Sequence, residues 1–109
     1  MMRTLDPSAV EAILSGFTHY IVTRSGLTTT LYFRPDGRLF ATLADDEQRS
    51  GVWATGAAGF SVQWADRERA QWRLASAPGQ LVYVNADGKA IGTVSKIVAG
   101  NAEQFGEPQ

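Results

Sequence analysis

The chain has one histidine, His19, and it stands next to Tyr20, so this pair is the first place to look for acid–base chemistry. A general base needs hydrogen-bond reach to the proton it moves, and usually a second group that orients it. In Phe17-Thr18-His19-Tyr20-Ile21-Val22-Thr23, alternation puts His19 on one face with Phe17, Ile21 and Thr23. Tyr20 turns to the other face with Val22. No partner for His19 is evident nearby, so a structural histidine is the simpler reading. A small enzyme using His19 with Tyr20 and an arginine is the alternative.

Other catalytic constellations are missing. With no cysteine there is no thiol nucleophile, disulfide or thiolate metal site. One histidine would need three carboxylates to complete a zinc site, an uncommon set, so neither a metal nor a cofactor is expected. Asp45-Asp46-Glu47 lacks the alternating oxygen ligands and distal bidentate carboxylate of a calcium loop, and reads as a solvated turn. Phosphate-binding loops, nucleophile elbows and His-Glu-x-x-His are absent. Ten basic against eleven acidic residues give a formal charge of −1, without the basic footprint of a nucleic-acid binder.

Aromatic residues offer a different chemistry. Trp53, Trp64 and Trp72 are many for 109 residues, and with Tyr83 they are the candidate ligand-binding residues. Aromatic-lined concavities take small apolar ligands, although tryptophan equally fills the interior of a small barrel.

These side chains need elements to position them. Asp6-Pro7-Ser8 starts a helix over 6–15: Asp6 caps, Pro7 suits the first position, and Gly16 stops it. Val10, Ile13 and Leu14 share its apolar face. Beyond Phe17 the period is two, with turn signals every 8–12 residues. Strands are expected near 17–24, 28–34, 38–44, 50–55, 59–65, 69–75, 80–85 and 89–98, with an aperiodic tail over 100–109. Connections this short leave no room for crossover helices. Sequential strands should therefore pair as one antiparallel meander of about eight strands in a single domain, 1–109. Such a meander can close into a small or partly open barrel.

The hairpins around Pro35-Asp36-Gly37 and Ala86-Asp87-Gly88 echo each other, as expected of a type I turn ending in a left-handed glycine. A three-residue loop sets Leu31, Phe33, Leu39, Ala41 and Leu43 on one face and Tyr32 and Phe40 on the other. Leu81, Tyr83 and Ile91 repeat the first set, Val82 and Val84 the second. Phe60, Val62 and Trp64 join Ala70, Trp72 and Leu74 if the turn at Asp66-Arg67-Glu68 holds an odd number of residues. Part of the sheet is thus apolar on both sides. The helix is expected to cover the second face; a homodimer across Tyr32, Phe40, Val82 and Val84, or an apolar ligand there, are the alternatives.

Leu31 to Gly37, Gly51-Val52-Trp53, Phe60 to Trp64 and Leu81 to Gly88 follow one another in an order that resembles small bacterial lipocalin-like meander proteins of unassigned function. The resemblance spans residues 14–99 and implies an up-and-down lipocalin-like barrel with no particular activity. Its members are often exported and carry a cysteine on each of two paired strands, where Ser61 and Gln71 stand here. The start of the chain lacks the uninterrupted apolar stretch of a secretion signal, with Asp6 and Glu11 intervening, and no run is long enough to span a bilayer. The expectation is a cytoplasmic, non-catalytic binding module. Its partner would be a small apolar ligand in the concavity, or a protein, itself included, on the second aromatic face.

Overall fold

Asp6 caps the helix as expected. In the computed structural model, which describes residues 3–43, 45–56 and 59–105, its carboxylate accepts the Ala9 N–H at 2.8 Å and caps helix α1, Pro7–Leu14. Eight strands follow: β2 (Phe17–Thr23), β3 (Thr28–Phe33), β4 (Arg38–Thr42), β5 (Gln48–Gly56), β6 (Gly59–Trp64), β7 (Arg69–Ala77), β8 (Gln80–Asn85) and β9 (Ala90–Ala99). Each pairs antiparallel with the next, and β9 returns to pair with β2, so the meander closes into an up-and-down barrel. A two-residue strand, β1 (Arg3–Thr4), escaped the sequence reading. It pairs with Ala75 and Ser76, on the part of β7 beyond its pairing with β6.

The registers follow from the turns. Phe33 faces Leu39 and Tyr32 faces Phe40, as a three-residue loop requires. Gln63 faces Arg69 and Phe60 faces Trp72, so the loop after Trp64 also holds an odd number and the apolar sets meet inside. The turns at Gly37 and Gly88 share one bonding pattern. Arg34 N–H donates to Arg38 O at 2.8 Å and Asn85 N–H to Lys89 O at 2.9 Å, with left-handed glycines at φ 93° and 85°. The expected turn from Gly56 to Gly59 and the expected tail over 100–109 fall partly outside the described residues.

Leu31, Phe33, Leu39, Phe60, Val62, Leu74 and Tyr83 form the interior with Val10 and Leu14 of the helix, all at most 2% exposed. That position corrects the expectation for α1. The helix does not lie over Tyr32 and Phe40. It packs against β2, β5 and β6 and stoppers the end of the barrel where β2 begins and β3 ends. The aperiodic C-terminal segment crosses the outer face instead. Thr18 Oγ1 donates to Gly100 O at 2.8 Å and accepts the Ala102 N–H at 3.1 Å, and the Phe105 ring stacks on Phe40 with centroids 6.4 Å apart. No helix is long and apolar enough to cross a membrane, among the described residues.

Candidate functional site

The two ends of the barrel differ, and the difference defines the site. Away from α1, the ends of β2, β4 and β6 and the starts of β3, β5, β7 and β9 surround a cavity of about 320 Å³. Its walls are Ile21, Leu31, Leu43, Ile91 and the rings of Trp64, Trp72 and Tyr83, with Thr23, Thr29 and Arg49 as its polar members. The rings meet at steep angles: Trp64 to Trp72 centroids are 6.5 Å apart, and Trp72 to Tyr83 6.1 Å. Such a wall offers aromatic faces and edges to a flat guest.

Trp64, Trp72 and Tyr83 are thus brought together on one wall. Trp53 is not. It points inward at the stoppered end, its ring 5.6 Å from that of Phe33, and its indole N–H donates to Arg34 O at 2.9 Å. A hollow of about 530 Å³ over β5, β6 and β7 lies on the outer surface, among exposed Val52, Ser61, Gln63, Arg69 and Gln71. It is a dish on the sheet rather than an interior site.

Beneath the cavity floor lies the histidine. His19 is 0% exposed and both ring nitrogens are engaged. Nε2 is 3.0 Å from Ile13 O, which can only accept, so Nε2 carries the proton. Nδ1 therefore accepts from the Tyr83 hydroxyl at 2.9 Å. Burial holds the His19 pKa below its usual value, against the opposing pull of the Ile13 carbonyl, and pushes the Tyr83 phenol well up. This neutral pair ties the last turn of α1 to the cavity wall across 64 residues of sequence, which is why no partner showed locally. Tyr20 points to the outer face, as alternation required. There its hydroxyl donates to Glu103 Oε2 at 2.5 Å, and that bond raises its pKa to about 12.

Arg49 is a charged cavity residue that pattern reading missed. It stands opposite inward-facing Ala41, in step with Gly51 and Trp53, so its side chain enters the mouth. An arginine in phase with interior positions was the available signal. Its guanidinium lies 5.9 Å above the Trp64 ring, and its Nε–H donates to Glu47 Oε1 at 2.9 Å.

The four residues assigned to an interface are covered from within the chain. Tyr32 is 7% exposed and Phe40 half-buried beside Phe105, while Val82 and Val84 join Ala75 in a small buried outer cluster. Asp45 and Asp66 spend a carboxylate oxygen on the N–H two residues on, Glu47 and Glu68 respectively, each at 3.0 Å. No family model, curated protein or solved structure matches the chain.

Proposed function

We propose that the protein is a non-catalytic binding module, lipocalin-like in plan, that holds one small apolar ligand in the cavity at the open end. The observation that carries this reading is the wall itself: seven apolar or aromatic side chains around about 320 Å³, at the end away from α1. That volume is near the lower end of ligand pockets, about 300–1,000 Å³, so the ligand is compact. The order of features shared with bacterial lipocalin-like meanders supports the same plan. His19 and Tyr20 point to opposite sides of one strand, which favours binding over catalysis by that pair. The cover over Tyr32, Phe40, Val82 and Val84 favours the cavity over the outer face.

Titration with N-phenyl-1-naphthylamine, neutral at pH 7 and emissive in apolar surroundings, tests the reading. The expected result is saturable one-to-one uptake with quenched tryptophan emission, weakened about tenfold by Trp72→Ala through loss of apolar contact. Absence of saturable uptake overturns it.

A further inference from the structure

Resting on that cavity as a ligand site, we propose that its ligand is a neutral ring compound carrying one hydrogen-bond acceptor, recognised by Arg49, with Glu47 and Glu68 selecting against carboxylic acids. Arg49 is the charged side chain lining the cavity, among the described residues, and its side chain is 25% exposed. One donor is spent, the Nε–H on Glu47. Nη1 stands 3.7 Å from Glu68 Oε2, an ion pair too long for a hydrogen bond. Among the described residues nothing accepts from either Nη group, so these donors remain for a guest. The other polar wall is partly engaged already: Thr23 Oγ1 donates to Leu27 O at 3.1 Å.

The sign of the surrounding charge decides the kind of acceptor. The hydrogen bond to Glu47 pushes the Arg49 pKa further up, and against some desolvation the fields of Glu47, Glu68 and Asp66 add to it, so carboxylates dominate the immediate surroundings of this side chain. Both glutamates come from neighbouring rim turns, with Asp45 and Asp46 beside the first. A carboxylate guest would bring another anion into this group and lose its hydration on the way in. A ketone, ester or amide oxygen takes the same charge-assisted N–H bond without adding charge. The ring follows from the wall, where Trp64, Trp72 and Tyr83 present surfaces suited to a flat body.

Three compounds of one skeleton separate these terms: 2-methylnaphthalene, 2-acetylnaphthalene and 2-naphthoate, each competing with N-phenyl-1-naphthylamine. The ketone is expected to bind about tenfold tighter than the carboxylate, with the hydrocarbon between, as one charge-assisted hydrogen bond allows. Arg49→Met lowers the ratio of ketone to hydrocarbon affinity about fivefold, and Glu47→Gln with Glu68→Gln raises naphthoate affinity about tenfold. Should Arg49→Met fail to fold, the ranking in the native protein and the glutamate pair carry the test. Naphthoate binding as tightly as the ketone overturns the proposal, as does an unchanged ratio in Arg49→Met. In either case hydrocarbon binding still upholds the cavity as a ligand site. If none of the three competes, that site falls and this proposal falls with it.

Discussion

The stoppered and open ends of this barrel are made by the same eight strands and have opposite finishes. At the stoppered end, α1 delivers Val10 and Leu14 into contact with the barrel interior, and the neighbouring polar groups find partners. The Gly16 N–H donates to Phe33 O, Gly100 N–H to Gly16 O, and His19 bridges Ile13 and Tyr83. At the open end no element lies across, among the described residues, and Leu43, Trp72 and Ile91 stay half-buried beneath a ring of charged turns. A closed meander therefore seals its edges but not its ends; sealing an end takes an extra segment. Among the described residues one end has it, and the proposed ligand site lies at the other.

The largest expected effect comes from emptying the sealed side. Phe60 is fully buried and meets Phe33, Trp72 and Tyr83 edge-on, with centroids 5.7–5.8 Å away. Phe60→Ala leaves a closed void and should cost about 3–5 kcal/mol, a large part of a domain's stability. Trp72→Ala removes a bigger side chain, but one that borders an open cavity, so the loss should be about half that. Urea unfolding of both variants checks the pair. Equal losses would mean that the open end is packed as tightly as the sealed one.

Gly51 tests the join between the two halves. It sits between Leu39 and Trp64 on neighbouring strands, and a Cβ there would stand 2.4 Å from Gln63 O and 3.0 Å from Trp64 Cα. Both near atoms belong to the backbone, so β6 must shift. Gly51→Ala should cost about 2 kcal/mol, within the range for overpacking, and move Trp64 enough to shift tryptophan emission.

How much of this was legible in sequence depended on the range of the interaction. The Asp6 cap, the alternation and the turn glycines act within a few residues, and they gave helix, strands and registers almost at their observed bounds. The apolar and aromatic alternation also gathered Trp64, Trp72 and Tyr83 on one face. Which end of the barrel each tryptophan occupies was hidden, because alternation gives a face and not a height; Trp53 shares the face but not the cavity. The cover over Phe40 was hidden for another reason. Phe105 is a lone aromatic in an aperiodic segment: Asn101 holds its N–H and its carbonyl locally, and Thr18, more than eighty residues earlier, docks that segment through Gly100 and Ala102. His19 met its partner Tyr83 in the same non-local way.

Acid should act on the sealed end through His19. The unfolded chain takes up a proton on His19 near pH 6.5 and the folded chain only at lower pH, so protons favour unfolding in that window. Protonated His19 would turn a second N–H toward Tyr83, whose hydroxyl must then accept and lose its own acceptor. Stability should be full above about pH 6.5 and fall below it by at most about 1.4 kcal/mol per pH unit for this one proton. His19→Gln, weaker throughout, should lose that slope, as denaturant midpoints measured from pH 7.5 downward would show. A slope unchanged by the substitution would assign it to other groups.

The smallest effect probes strain at the open end. Hairpins closed by the same three-residue loop hold a left-handed residue, which is glycine at Gly26, Gly37 and Gly88. At the rim, Asp46 and Arg67 occupy that position with φ of 67° and 75°. A side chain in this region costs about 1–2 kcal/mol, and the extra freedom of glycine when unfolded returns about 0.5–1 of that. Arg67→Gly should therefore stabilise the protein by about 0.5–1 kcal/mol, raising Tm by a few degrees. Arg67 is not among the residues lining the cavity, so probe binding should stay as it is. The matching change at the sealed end, Gly37→Ala, should go the other way and destabilise by about 1 kcal/mol, since its φ of 93° suits glycine alone. If Arg67→Gly instead destabilises, the Arg67 side chain contributes more to the rim than its backbone strain costs, and the open end is less loosely made than the sealed end suggests.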